Sequence, residues 1–378
     1  MREIEAITKA YDQAYQNGVN CVLATVVHVE GSSYRKAGAR MLVDEYGNMT
    51  GAISGGCLEG DALKKALHAL HQKKNKMVTY DTSDEEDAVI GAQLGCNGII
   101  RILFEPIDPN FELNAIALLK RATESNNRLV IIAGFCLAQH KSQLGTIALM
   151  EGDNFLSGQP IDQTILNQIK SESALVLQSN QSHFIQFETD STTNQYFLEL
   201  YNPPPHLLII GAGNDAQILA QMAELVGWKI TIADGRNTHA NKQRFTPACQ
   251  VLVSKPEKIL EQTELYDNTY VVLMSHNYQY DKAVLQLILH HEEIPYIGLL
   301  GPKSKLDRML GDLSSEIPKR KIHSPIGLDL GTETPAEIAL SIVAEIQSVI
   351  NQTDVMSLAD KNGSIHDKRF PELKTIRA

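Results

Sequence analysis

At 378 residues the chain has room for two or three domains of about 100–200 residues each. A hydrophobic share of 43% supports folded cores, while a formal net charge of -11 argues against a nucleic-acid or anionic-membrane surface, which needs a basic face. The five cysteines, Cys21, Cys57, Cys96, Cys136 and Cys249, stand far apart with no CxxC pair. That is poor material for a disulfide framework or a structural zinc site and fits a reducing cytoplasm.

The first segment, MREIEAITKAYDQAYQNG, reads as a charged amphipathic helix without the apolar core of a secretory leader. Residues 22–29 and 39–43 read as strands, 61–71 as a helix and 98–104 as a further strand. His68 and His71 fall three apart on that helix and read as surface residues; Asp84-Glu85-Glu86-Asp87 reads as a solvated acidic run. A weak echo follows: "LVIIAGFCLA" and "GTIALMEGDNFLSG" repeat "VLATVVHV" and "ARMLVDEYGNMTG" without the arginines or the cysteine loop. This predicts a duplicated strand unit that keeps structure without chemistry. Residues 160–200 specify no element.

Asn202-Pro203-Pro204-Pro205 marks a boundary, because a proline triplet continues neither a helix nor a central strand. Beyond it HLLII, WKITIAD, CQVLVS, TYVVLM and PYIGLL read as short strands, alternating with NDAQILAQMAELVG and YDKAVLQLILHHEE as helices. The alternation predicts βαβ units and a parallel sheet. Thr334, Pro335 and Glu337 open a last helix with a capping box. The expected class is α/β: a mixed N-terminal domain over 1–200, a doubly wound C-terminal domain over 203–351, and a loosely held polar tail over 352–378.

Two motifs carry chemistry. In "HLLIIGAGNDAQILA", Gly211 and Gly213 follow an apolar strand and open a helix, with Ala216 completing G-x-G-x-x-A. The first glycine permits the tight turn, the second lets backbone approach a phosphate, and the helix end supplies N–H groups. Asp234, 23 residues after Gly211 at the end of the next strand, has the spacing of a ribose-binding acid. Arg236 then has three readings: partner to a 2′-phosphate, partner to a diphosphate, or a bridge to Asp234. His276, after TYVVLM, is the candidate proton-transfer residue of an NAD(P)-dependent oxidoreductase.

The second motif is "GAISGGCLEGDALKKAL", with Cys57 among glycines at the mouth of a helix. The helix end would favour a thiolate, and Gly55 and Gly56 let a large ligand lie on the backbone. Cys57 is then a nucleophile, a redox centre, a ligand to a soft metal, or else a small core residue beside a turn. Ser32 and Ser33 form a polar loop upstream, with Arg35 and Arg40 as anion-binding forks. Cys96 repeats the arrangement of a cysteine between glycines.

Taken in order, "GSSYRKAGARMLVDEYGNMTGAISGGCLEGD", "GAQLGCNG", the glycine turn with "ADGR", "YIGLLGPKSK" and "PIGLDLGTETPAEIALSIVAEI" resemble the xanthine dehydrogenase accessory family of XdhC/CoxI type. The resemblance spans residues 20–350 and is loose over 110–200. It implies a maturation factor that binds the molybdenum cofactor (molybdopterin), favours its sulfurated form and delivers it to an apo molybdenum hydroxylase of xanthine or carbon monoxide dehydrogenase type. It further implies a cofactor site at Cys57 and Cys96, with Cys57 a candidate molybdenum ligand. A cysteine desulfurase is a second expected partner and a homodimer the expected assembly. The chain lacks the iron–sulfur cysteine clusters of xanthine dehydrogenase itself, so an accessory role is expected rather than catalysis. Two departures concern the second domain: Asn214 stands where the family turn often has histidine, and Pro302 follows Gly301 where the family often has serine. Its ligand, NAD(P), another nucleotide or neither, stays open.

Overall fold

The computed structural model describes residues 2–31, 33–81, 98–137, 142–188, 193–313, 322–361 and 374–377. The chain divides into two compact units, Met1–Pro203 with Asn362–Ala378, and Pro204–Lys361. Ser32, Cys96 and the acidic run at Asp84 lie outside the described residues. Among the described residues no helix is long and apolar enough to cross a membrane.

The first unit is built twice. Helix α1 (Arg2–Gln16), strands β1 (Cys21–Gly31), β2 (Arg40–Asp44) and β3 (Met49–Gly51), helix α2 (Glu59–Gln72) and strands β4 (Lys76–Asp81) and β5 (Gly98–Pro106) come first. The same series returns as α3 (Ala115–Glu124), β6 (Leu129–Cys136), β7 (Gly145–Glu151), β8 (Asn154–Ser157), α4 (Gln163–Ser179), β9 (His183–Glu188) and β10 (Thr193–Tyr201). The sheets run β3-β2-β1-β5-β4 and β8-β7-β6-β10-β9, one order written in two sets of labels. The faint echo in the sequence thus covers three of seven matched elements. Residues 160–200, which the sequence left without an element, form the second copy's α4, β9 and β10.

Both sheets are antiparallel throughout these pairs, and apolar residues hold them together. Val27, Met77 and Leu103 of the first sheet share a core with Ala133, Phe135, Phe184 and Phe197 of the second. Helices α1 and α3 close one side through Ile4, Ile7, Ile116 and Leu119. The tail differs from expectation: β16 (Lys374–Arg377) pairs in parallel with β9.

The second unit has β11 (His206–Ile210), α5 (Asn214–Leu225), β12 (Lys229–Asp234), β13 (Cys249–Val253), α6 (Ile259–Gln262), β14 (Thr269–Leu273), α7 (Tyr278–Ile288), β15 (Tyr296–Leu299), α8 (Lys303–Asp312) and α9 (Pro335–Asn351). Its sheet is parallel, in the order β13-β12-β11-β14-β15. Helices cover both faces, so β11 is apolar without alternation. Leu207 and Ile209 face Leu219, Ile342 and Ile346. Leu208 and Ile210 face Val284, Leu285 and Met309. The order reverses between β11 and β14, which opens a crevice at their carboxyl ends. The expected capping box forms: Thr334 Oγ1 accepts from the Glu337 N–H, and Glu337 Oε2 accepts from the Thr334 N–H.

Candidate functional site

Cys57 lies in the connection from β3 to α2, and Ser54 organises that loop. Ser54 Oγ accepts the N–H groups of Gly56 at 3.2 Å and Leu58 at 3.1 Å, and donates its own proton to the Glu59 carboxylate. Glu59 Oε1 also accepts the Ser54 N–H at 2.9 Å. Burial would raise the Glu59 carboxyl, but the hydrogen bonds from Ser54 outweigh it and hold it below the usual range. The helix therefore opens without a side-chain cap at Leu58; Ser54 and Glu59 brace the loop instead.

The brace leaves Cys57 half-buried, its Sγ 3.6 Å from Ser54 Oγ. Gly55 and Gly56 are exposed. Gly56 has φ +107°, and nothing lies within 4 Å of where a Cβ would project. Among the described residues the N–H groups of Gly55 and Cys57 have no partner. Tyr34 stands against this loop: a Cβ on Gly55 would come within 3.3 Å of its ring, yet Tyr34 is 68% exposed. Sequence reasoning missed Tyr34, Ser54 and Glu59. The signals were an aromatic side chain inside a glycine–serine loop and an acid two residues past the cysteine.

The two arginines part company. Arg35 is paired with Glu3 of α1, whose Oε1 also accepts the Ala52 N–H at 3.0 Å, so one carboxylate ties the loop of Ser33 and Arg35 to the Cys57 connection. Its side chain remains 30% exposed. Arg40 is not available as an anion fork. It is 1% exposed and donates to the Gly38 carbonyl and to both carboxylate oxygens of Glu199, at 3.0 and 2.5 Å. Its place on β2 points it inward, where it joins the two sheets. At the other end of β1, Gly31, just before Ser32, pairs with Gly98, two residues after Cys96.

In the second unit, Gly211 has φ +120°, and a Cβ there would meet the Met274 carbonyl at 2.5 Å. Only glycine fits where β11 passes the end of β14. Gly213 begins α5 without a side-chain cap, among the described residues the first-turn N–H groups have no partner, and Asn214 is exposed beside it. Asp234 is buried and committed. Its Oδ2 accepts the Ala212 N–H at 2.8 Å, and Arg236 grips both oxygens at 3.0 and 2.7 Å. Burial is outweighed by these donors, and the carboxyl stays below its usual range. Of the three readings of Arg236, the bridge is the one formed. Arg244 donates to the Ala212 carbonyl at 3.1 Å and to Asn214 Oδ1 at 2.9 Å, a turn contact the sequence did not announce.

His276 overhangs this turn with φ +57°, its ring 3.8 Å from a Cβ built on Gly213 and its Nε2 3.4 Å from Asp215 Oδ2. The left-handed backbone costs about 1 kcal/mol for such a residue. Buried Asp281 holds the bend, accepting Ser275 Oγ at 2.5 Å and the Ser275 N–H at 3.2 Å. Lys305 joins Asp281 to the Leu300 carbonyl, 2.9 and 3.0 Å away, beneath Gly301 with its φ of +129°. Gly211, Gly213, His276 and Gly301 thus follow the carboxyl ends of β11, β14 and β15. Among the described residues no group of three or more His, Cys, Asp or Glu side chains forms a metal cage.

The first site offers a half-buried thiol, open N–H groups and a bare aromatic face. That combination suits a flat anionic guest with a soft atom. The second offers a phosphate-sized turn.

Residues 14–81 match the model of the XdhC and CoxI family, and residues 207–346 match that of the XdhC Rossmann domain. The chain is 32% identical over 342 residues to a protein of Bacillus subtilis named as a probable xanthine dehydrogenase subunit, covering 89% of this chain and 94% of that one. It is 23% identical over 346 residues to the molybdenum cofactor insertion chaperone PaoD of Escherichia coli, covering 89% and 86%. A crystal structure described as a xanthine dehydrogenase from Bacillus halodurans superposes with a TM-score of 0.72 at 28% identity, over 94% of this chain and 98% of that one. Similarity of this extent, running through both units, makes the chain a member of the XdhC and CoxI family.

Proposed function

We propose that the protein is a maturation factor for molybdenum hydroxylases. It takes molybdenum cofactor as cargo, keeps it in the sulfurated form and passes it to an apo-enzyme of xanthine or carbon monoxide dehydrogenase type. The observation that carries this reading is the Cys57 loop, where one short connection brings a half-buried thiol and two open N–H groups beside the largely exposed ring of Tyr34. Tyr34 is the stacking face for the pterin, the N–H groups of Gly55 and Cys57 meet its anionic portion, and the Cys57 sulfur faces the metal or its sulfur. Gly56 lies in the same loop and Arg35 is tied to it through Glu3; the family resemblance adds Ser32, Ser33 and Cys96 to the site. A relative named as a molybdenum cofactor insertion chaperone, matched along 89% of the chain, supports the role. A cysteine desulfurase is the proposed sulfur source.

The glycine turn of the second unit, with Gly211, Gly213, Asn214 and Gly301, takes a phosphate or nucleotide portion of a ligand. The rival reading is an NAD(P)-dependent oxidoreductase acting through His276. Asp234 disfavours it, since both carboxylate oxygens already serve Ala212 and Arg236.

The test is protein expressed with molybdate and assayed for co-purified pterin by the fluorescence of its oxidised form. Wild type carries pterin and Cys57→Ser loses most of it. Equal pterin in the two proteins would refute the role of the thiol. Saturable NADH or NADPH binding, with turnover lost in His276→Ala, would favour the rival.

A further inference from the structure

The internal repeat of the first unit allows one strand to be compared with its own counterpart. Strands β4 and β9 hold the same place in the two sheets, and each is six residues long. Met77 of β4 registers on Leu103 and Phe184 of β9 on Phe197, and these residues all enter the core that the sheets share. That alignment sets Val78, Thr79, Tyr80 and Asp81 against Ile185, Gln186, Phe187 and Glu188. Each series runs β-branched or polar, then aromatic, then acidic, with an aliphatic residue first.

The two strands differ at their outer edges. The edge of β9 is covered, because β16 pairs with it in parallel, Ile376 in register with Phe187 and Arg377 with Glu188. Among the described residues β4 has a strand on its β5 side only. Ile185, in the strand that β16 covers, is fully buried, whereas Val78 and Thr79 stay partly exposed.

An uncovered edge presents a row of backbone N–H and C=O groups that templates a further strand, and proteins guard such edges with proline, a bulge or an inner lysine. From Met77 to Asp81 the strand has no proline or lysine, and its register on β5 runs without a shift. The strand is also held in place near its end. The Tyr80 hydroxyl donates at 3.0 Å to Asp61 in the first turn of α2, the helix that follows the Cys57 connection. The chemistry of an occupant can be read from β16, which fills the matched edge with a basic residue registered on an acidic one.

We propose that the β4 edge docks an extended segment of a partner polypeptide, which adds to the sheet in parallel as β16 does on β9. The segment places a basic residue in register with Asp81 and an apolar residue just before it, in register with Tyr80. Main-chain pairing supplies the affinity, and the opposite charges at the strand's end fix the register. The proposal is independent of the molybdenum-cofactor reading.

Hydrogen-exchange mass spectrometry on the full chain tests it, with a free peptide of the sequence of residues 372–378 as probe. Saturating peptide slows exchange at residues 76–81 and leaves residues 183–188 as they were. By fluorescence anisotropy, Arg377→Glu in the labelled peptide weakens binding about tenfold. A peptide N-methylated along its strand residues does not bind, because it has no N–H groups to pair. Unchanged exchange at 76–81, an effect confined to 183–188, or equal binding of the N-methylated peptide would overturn the proposal. Protection at 76–81 that rises with protein concentration in the absence of peptide would also overturn it, by assigning the edge to a second copy of the chain.

Discussion

Arg40 decides between two pictures of the first unit. In one it is an anion fork of the cofactor site; in the other it is the staple between the two sheets. The geometry favours the staple, since Arg40 is 1% and Glu199 15% exposed, with two parallel bonds between them. Removing one member of such a pair strands the other charge and costs about 3–5 kcal/mol, while replacing both by apolar residues is close to neutral. Arg40→Met and Glu199→Leu are therefore each expected to lower the urea midpoint sharply, and the double variant to recover most of the loss. The protein supplies its own control. Its one tryptophan, Trp228, lies in the second unit, so its fluorescence should hold steady while far-UV circular dichroism records the loss in the first. If Arg40→Met kept the wild-type midpoint and merely shed bound pterin, the staple would be wrong and the fork right.

Other expectations use the same probes. His206, buried between the hydroxyls of Thr231 and Thr269, has its pKa lowered from 6.5 to about 4 by burial. A depressed folded value means stability present above pH 6.5 and lost as pH falls towards 4, a difference of about 3 kcal/mol; Trp228 unfolding curves should show that slope and His206→Asn should flatten it. Gly211→Ala puts a Cβ 2.5 Å from the Met274 carbonyl at a left-handed φ. It should cost at least about 2 kcal/mol in the second unit by the same fluorescence, leaving the first unaltered. Tyr34→Ala should leave both unfolding curves unchanged, because the ring is mostly exposed, yet reduce retained pterin about tenfold. Tyr34→Phe should retain it.

The second unit was legible because its signals are local. The apolar runs, the glycine turn, Asp234 at strand's end and the Thr334 box each show a pattern readable within a short stretch of chain. Arg236 shows the limit: three partners suited its chemistry, and only the fold could say that Asp234 takes it. Arg40 was misread for a related reason. Its partner Glu199 lies 159 residues away, on a strand in the stretch that resisted interpretation. An arginine near a glycine loop looks the same in sequence whether it points out or in. Tyr34 and Ser54 escaped notice because an exposed tyrosine or a serine among glycines carries no period. The duplication showed through only where β1–β3 and β6–β8 preserve similar residues; the helices had drifted beyond recognition.

That duplication has a consequence for how the unit came to hold the Cys57 loop in one half. Neither half is finished alone, since Phe135, Phe184 and Phe197 complete a core begun by Val27, Met77 and Leu103. Two separate copies of one short polypeptide could have met that need, but identical copies must carry identical loops. Fusing them into one chain lifts the constraint, and residues 158–162, the counterpart of the Cys57 connection, are free to serve as a plain link into their helix. Severed between β5 and α3, the halves should fold only when mixed, and the pterin should follow the half that bears the sulfur.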